Sequence, residues 1–151
     1  GVGFSSQGAF EGSYFRRSDG GDDPRAAWIL EGINEEILGN FGLSGGGAAG
    51  FELDRADIRL ATPENAVVIA SSENHQPSFI AVLEDQLSQR ATVTGVSHDK
   101  LIRADITYFE TPNGGAVFSV GSIAFCGSLS HQDYKNSISR MIDNVLRRFR
   151  A

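Results

Sequence analysis

The sequence is short of the features that define several common classes of protein. Its 151 residues include a single cysteine, Cys126, so no intrachain disulfide can form, which mildly favours a reducing compartment. No apolar run approaches the ~20 residues that a membrane span needs. Basic residues number 13 against 19 acidic ones, for a formal charge of −6. Because a phosphate backbone would be repelled by that excess, we expect no nucleic-acid partner. The lack of a long apolar run leads us to expect no membrane partner.

The first four residues lack an initiator Met, and they also lack the basic and apolar segments of a signal peptide. We therefore expect a cytoplasmic location and interpret the chain as a fragment of a longer protein. The length, and a hydrophobic content of 40%, fit one globular segment that comprises residues 1–151. The first 50 residues give no firm secondary structure, and residues 26–30 fit a buried strand as well as a helix that starts near Asp23 and Pro24.

Glycine is abundant, with 18 residues, and several of them fall within residues 42–50. Three of these, Gly45, Gly47 and Gly50, have the spacing G-x-G-x-x-G. A dinucleotide site needs that motif to open a helix, whereas residues 51–54 alternate with the period of a strand. We interpret the segment as a packed or flexible glycine loop.

The remaining pattern predicts a sheet of strands with one long C-terminal helix lying on it. Strands are predicted at residues 67–70, 79–83, 104–109 and 116–125. The Asn113-Gly114 pair supplies turn chemistry for a hairpin between the last two strands. Within the last strand, Gly121 indicates a bulge or a close approach of the backbone.

The C-terminal helix is the best defined element in the sequence. Ser130 and Asp133 resemble a capping box at its start, and three arginines near residue 150 suit its negative end. One helical face collects the apolar residues Tyr134, Ile138, Met141, Ile142, Val145, Leu146 and Phe149.

Polar side chains follow the predicted strand 67–70 directly. In an α/β sheet, this is where ligands tend to bind, and a partly desolvated Glu73 there could act as a general base or acid. A surface loop with serine capping explains the same residues equally well. His131 lies in a second polar turn, and if the two strands are neighbours it would face the same crevice as Glu73.

Other chemistries have weaker support in the sequence. Cys126 could be a nucleophile activated by His131, although we favour a small buried thiol in a sheet. The three histidines, His75, His98 and His131, do not form H-E-x-x-H, so no self-contained zinc site is expected.

Several strings together resemble the C-terminal part of the large subunit of the N,N-dimethylformamidase family, from the first residue to Phe149. These strings are GVGFSSQG, GGAAGFELDRAD, VVIASSENH, ADITYFETPNGGAVFSVGSIAFCGSLSH and NVLRRF. The resemblance implies a layered α/β fold, of which this chain would be the C-terminal portion of a domain similar to class I glutamine amidotransferases. It implies a mononuclear iron bound by tyrosine and glutamate side chains that lie before the matched part. It also implies a small partner subunit, and hydrolysis of N,N-dimethylformamide to formate and dimethylamine.

The resemblance carries over to specific residues here. Glu73 matches the family's catalytic carboxylate near the metal, and His75 and His131 are the other catalytic candidates. Asn74 and Gln76 depart from the family's Glu-Gly-His-Ser pattern, and the family's His-Pro-Glu motif is absent. We therefore expect the chain alone to be inactive, to lack the iron ligands, and to self-associate through exposed apolar surface. The alternative hypothesis is a non-catalytic structural or assembly module.

Overall fold

A computed structural model describes residues 1–83 and 98–151 of the chain. The strands are β1 Gly3–Arg17, β2 Ile37–Leu38, β3 Ala49–Arg55, β4 Val67–Glu73, β5 Ile80–Ala81, β6 Asp105–Glu110 and β7 Ala116–Ser119. The α-helices are α1 His98–Leu101 and α2 Ser137–Phe149. Single 3-10 turns occur at Asp19–Asp22, Ala27–Leu30, Ile58–Leu60 and Phe125–Ser128.

The long strand β1 organises the sheet because it pairs with four others. Its first part pairs with β3 and β5, and its last residues pair with β2 and β4. At 15 residues it is far longer than an average strand, and its register against β3 shifts between Gln7 and Gly12. The main path through the sheet is β2-β1-β4-β6-β7. This topology places β4, the strand of the candidate site, between β1 and β6.

A single apolar core lies between the sheet and α2. Ile138 and Met141 are fully buried and Val145 nearly so, as their helical spacing predicts. From α2, Asn144 Nδ2 donates hydrogen bonds to the carbonyl oxygens of Ile29 (3.0 Å) and Glu31 (2.9 Å). The helix is therefore held to the 3-10 turn Ala27–Leu30 and the residue after it by polar contacts as well as by packing.

The buried carboxylate of Asp105 joins several elements at the start of β6. Its Oδ2 accepts a hydrogen bond from the Ala56 N–H (2.8 Å), which follows β3. Its Oδ1 accepts from Ser71 Oγ of β4 (2.6 Å) and from Arg103 Nε (3.0 Å). Since a buried charge must be compensated by hydrogen bonds, these three donors fix β3, β4 and β6 relative to one another.

The predicted strand-rich architecture with one long C-terminal helix is confirmed. All the pairings between described strands are antiparallel. The glutamine amidotransferase-like layering that the resemblance implies therefore remains a proposal. Among the residues that the structure covers, no helix is both long and apolar enough to cross a membrane.

The hairpin of β6 and β7 is confirmed, with a turn in which Gly114 has φ +82°. β7 is shorter than predicted, because the chain turns at Gly121, where φ is +62°. A Cβ at Gly121 would lie 2.5 Å from the Asp105 carbonyl oxygen and 2.7 Å from that of Asp54. The predicted close backbone approach at this glycine is thus correct.

The predicted start of the C-terminal helix is wrong. α2 begins at Ser137, and its N-cap is Asn136, whose Oδ1 accepts a hydrogen bond from the Ser139 N–H (2.9 Å). Ser130 and Asp133 lie before the helix and do not cap it. Tyr134 also lies outside the helix and is 67% exposed, because residues 132–134 all adopt left-handed backbone angles.

The fold also tests three further predictions. Residues 26–30 form neither a strand nor a longer helix, since Ala27–Leu30 is a single 3-10 turn that buries Ile29 and Leu30. The glycine loop leads into strand β3 and therefore does not open a helix. The period-2 pattern of residues 51–54 predicts this strand. The strand predicted at residues 79–83 is shorter in the structure, where β5 comprises Ile80–Ala81.

We predict that Gly121→Ala destabilises the chain by about 3 kcal/mol or more, because it combines a left-handed backbone with a clash against main-chain oxygens. The matched control is Gly114→Ala. Gly114 also has a positive φ, but a Cβ there meets nothing within 4 Å, so the cost should be about 1 kcal/mol. Denaturant unfolding measures both changes, and equal losses would show that the close approach at Gly121 is unimportant.

Candidate functional site

The polar residues that follow the predicted strand 67–70 are themselves part of β4. The strand continues to Glu73, where it pairs with Tyr14 of β1. Ser72 is buried while Ser71 and Glu73 are half-buried, as alternation along a strand requires. Asn74 then ends the strand with φ 60°, a left-handed conformation that asparagine tolerates better than most residues.

The two serines of β4 bind different partners. Ser71 donates to Asp105, as described above. Ser72 Oγ accepts a hydrogen bond from the Ala104 N–H (2.7 Å) and lies 2.6 Å from His75 Nε2. Ser72 thus lies in a strand and binds backbone 32 residues away, so it does not cap local backbone in a surface loop.

The carboxylate of Glu73 is held by Arg16 of β1. Its Oε1 lies 2.8 Å from Arg16 Nε and 2.7 Å from Nη2, and Arg16 Nη1 also binds Glu36. Hydrogen bonding to Arg16, with a smaller contribution from Tyr14, holds the pKa of Glu73 below its usual range against the opposing effect of burial. Glu73 is therefore ionised at neutral pH.

The imidazole of His75 is largely shielded from water. Burial lowers the pKa of His75 from 6.5 to about 4, so the ring is neutral at physiological pH. The ring packs at a tilt against Phe79, with centroids 4.8 Å apart. His75 Nδ1 is buried, and within residues 1–83 and 98–151 it has no hydrogen-bond partner.

Glu73 and His75 line the same cavity, which has a volume of about 810 Å³. The lining also includes Lys100, Ile102 and Arg103. His75 also borders a smaller cavity of about 220 Å³, which is bounded on another side by residues 11–14. An ionised acid, a neutral histidine and cationic side chains thus surround a space large enough for a small molecule.

His131 lies elsewhere. Its ring is exposed and stacks on Phe41, with centroids 4.2 Å apart and planes 13° apart. It does not line either cavity that His75 borders. Among residues 1–83 and 98–151, the expected shared crevice with Glu73 is not formed. The catalytic role of His131 stays a prediction from the resemblance.

Cys126 is exposed in the 3-10 turn Phe125–Ser128, so the favoured prediction of a buried thiol in a sheet is wrong. The nucleophile hypothesis also required a hydrogen bond from Cys126 to a histidine. No such bond occurs between residues for which the structure gives positions. The geometry therefore does not support activation of Cys126 by His131.

Arg16 and Ser72 are the residues of the site that sequence reasoning missed. Arg16 belongs to a segment that gave no firm secondary structure, so its position opposite Glu73 could not be foreseen. Ser72 is adjacent to Glu73 in the sequence, but only the pairing of β4 with its neighbours shows that its hydroxyl points toward Ala104 and His75.

Fold and site together define a strand-rich, antiparallel segment in which an acid at the end of a central strand and a histidine just after it line a cavity. The chain belongs to the N,N-dimethylformamidase beta subunit-like, C-terminal family, whose model matches residues 1–136. It is 45% identical over 150 residues to the N,N-dimethylformamidase beta subunit of an Alcaligenes species, and equally to that of Paracoccus aminophilus. Each alignment covers 99% of this chain and 20% of the relative, so the chain spans about a fifth of their length.

We predict that His75 makes the free energy of unfolding fall as the pH drops from about 6.5 to about 4. In this window the unfolded histidine takes up a proton and the folded one does not, so acid favours unfolding. The shift to about 4 corresponds to a contribution of about 3 kcal/mol across the window.

The test is denaturant unfolding of wild type and His75→Asn at several pH values. The variant should show a flatter dependence on pH between 6.5 and 4 than the wild type. His131→Asn, a change at an exposed histidine, is the matched control. Parallel curves for wild type and His75→Asn would contradict the prediction.

Proposed function

We propose that the chain is the C-terminal segment of an amidase that hydrolyses small N-substituted amides, with N,N-dimethylformamide giving formate and dimethylamine. One observation carries this proposal. The ionised carboxylate of Glu73 lines a cavity together with a neutral histidine, in a chain of the N,N-dimethylformamidase beta subunit-like family. The names of the two relatives support the same reaction class.

Amide hydrolysis needs a proton acceptor for the attacking water and a proton donor for the leaving amine. In our proposal Glu73 performs both tasks in turn. Its carboxylate takes a proton from water and then returns that proton to the nitrogen of the amine. Arg16 keeps Glu73 ionised over a wide pH range, so the carboxylate is in the form that can accept a proton. The same ion pair makes it a weaker base than an unpaired glutamate.

The iron that the resemblance implies does not fit the residues described here as its complete ligand set. Residues 1–83 and 98–151 contain no group of three or more His, Cys, Asp or Glu side chains arranged to hold a metal ion. The carboxylate of Glu73 is also already engaged by Arg16. We propose that the ligands lie in another part of the enzyme, and no step above depends on the metal.

The same proposal extends to the assembly. The complete enzyme would contain the remainder of the large subunit, with the glutamine amidotransferase-like layers, and a small partner subunit. The relatives are named as beta subunits, which supports a protein of more than one kind of subunit. In that assembly, His131 would lie near the reaction only if other chain segments build a second wall around it.

A specific observation also favours the alternative, a structural or assembly module. Arg16 binds Glu73 on β4 and Glu36 near β2, so this ion-paired group ties three neighbouring segments of the sheet together. A carboxylate with a purely structural role would show the same contacts. The two hypotheses differ in what happens to turnover when the charge of Glu73 is removed.

We predict that Glu73→Gln in the complete enzyme lowers kcat by about 100-fold or more, because glutamine cannot accept the proton of water. Iron content should be unchanged. Steady-state kinetics and metal analysis measure the two quantities. The matched control is Glu36→Gln, which removes the other partner of Arg16 at a side chain that is 72% exposed, and it should retain most of the activity. A Glu73→Gln enzyme with wild-type turnover would favour the structural module.

We further predict that Arg16→Gln moves the acidic limb of the pH–rate profile to higher pH. The limb marks the protonation of Glu73, and removing Arg16 lets the pKa of Glu73 rise toward its ordinary value. Activity would thus be lost earlier as the pH falls. Arg147→Gln, which breaks an exposed pair with Asp143 on α2, is the control and should leave the limb in place. An unmoved limb in Arg16→Gln would show that another group controls it.

A further inference from the structure

The hydroxyl of Ser72 determines where the proton of His75 resides. Ser72 is 4% exposed, and its oxygen already accepts the Ala104 N–H. The hydroxyl proton needs an acceptor of its own, and in the part of the chain that the structure describes only His75 Nε2, at 2.6 Å, is within reach. If Ser72 donates and Nε2 accepts, only Nδ1–H is left unpaired, whereas the reverse arrangement leaves both the Ser72 proton and the Nδ1 lone pair unpaired; the pairing of buried polar groups therefore favours Ser72 as the donor.

This assignment leaves His75 as the Nδ1–H tautomer. A neutral imidazole has one donor nitrogen and one acceptor nitrogen, and with Nε2 accepting from Ser72 the proton must be on Nδ1. The low pKa of His75 agrees with a ring that stays neutral.

The Nδ1–H of His75 is then a buried donor without a hydrogen-bond partner within the described segments. Leaving such a donor unpaired costs about 1–3 kcal/mol, so its presence calls for an explanation. The ring borders both cavities, and Asn74, Gln76 and Phe79 share this wall with it. Because Nδ1 itself is buried, a ligand oxygen would supply the missing acceptor by displacing a neighbouring side chain, and those of Asn74 and Gln76 are exposed.

We propose that His75 Nδ1–H binds the carbonyl oxygen of a small amide, and that Ser72 is the positioning residue that keeps the proton on Nδ1. The identity of this ligand rests on the proposed function. A protonated Nδ1 has no lone pair, so it can bind neither a metal ion nor a further proton. It can only donate a hydrogen bond, which supports an oxygen acceptor as its partner. The same donor would hold an oxygen of the formate product, which shares the acceptor chemistry.

The first experiment observes the tautomer and the ligand directly. In the complete enzyme labelled with ¹⁵N-histidine, the His75 signals are identified by their loss in His75→Asn. We expect a protonated Nδ1 and a bare Nε2 in the wild type. Ser72→Ala should allow the other tautomer to appear, and Ser72→Thr, which keeps the hydroxyl, should restore the wild-type pattern.

A matched control separates this effect from loss of stability. Ser71→Ala removes the neighbouring hydroxyl of β4, which binds Asp105, and should leave the His75 tautomer unchanged. Adding N,N-dimethylformamide should shift the Nδ1 signal, and adding formate in a separate titration tests the product. A shift with formate and none with the amide would reassign the donor to product binding and overturn the proposal.

The second experiment measures the hydrogen bond through the substrate. Sulfur is a weak acceptor, so we compare kcat/KM for N,N-dimethylformamide with that for N,N-dimethylthioformamide. The ratio of the two values should fall about 10-fold in His75→Leu, which has no donor. His75→Asn places an N–H near the position of Nδ1 and should recover much of the ratio, while Ser71→Ala should keep it.

The outcomes separate this inference from the proposed function. An Nε2–H tautomer in the wild type, no response of Nδ1 to the amide, or an unchanged ratio in His75→Leu would each overturn the inference. If the amide shifts the Nδ1 signal but is not hydrolysed, the proposed activity fails while the binding role of His75 stands. If His75→Leu hydrolyses the amide and keeps the wild-type ratio of kcat/KM for amide and thioamide, the proposed activity stands and the binding role of His75 fails.

Discussion

The compensated charge of Asp105 is the interaction on which the arrangement of the central strands depends. Its two oxygens are satisfied by Ala56, Ser71 and Arg103, three donors from three segments of the chain. A carboxylate in this position without any one of them would carry an uncompensated cost of desolvation. The main chain at Asp105 also lies against Gly121, which leaves no room for a side chain. A buried polar contact therefore holds β4 against the start of β6 and the residue that follows β3.

In β1 and β4, some side chains pack in the core and others make the polar contacts of the site. Phe15 is fully buried in the core, whereas its neighbour Arg16 reaches the carboxylate of Glu73. On β4, Ile69 and Ala70 face apolar surroundings before the strand reaches Ser72. Because successive side chains of a strand point to opposite faces, the fully buried Phe15 lies directly beside Arg16. This gives the acid and the histidine a well-packed support.

Sequence reasoning found the elements whose signal is local. The face of α2, the β6–β7 hairpin and the close approach at Gly121 each follow from periodicity or turn chemistry over a few residues. The start of α2 was misplaced because three consecutive left-handed residues precede it, a conformation that no local rule predicts. Glu73 and His75 were found through their position after an apolar run and through the family resemblance. Arg16 was missed because its contact with Glu73 joins residues 57 positions apart, and the pairing of β1 with β4 is a property of the whole fold.

The many partners of β1 have a consequence for how this segment can be divided. β1 supplies the pairing edge for β2, β3, β4 and β5, and it also contributes the cation that accompanies Glu73. A shortened version that begins after Arg17 would lose both the middle strand of the sheet and Arg16, the partner of Glu73 in the ion pair. The smallest unit that preserves the cavity must therefore reach back to the first strand, even though the acid and the histidine lie more than fifty residues beyond it.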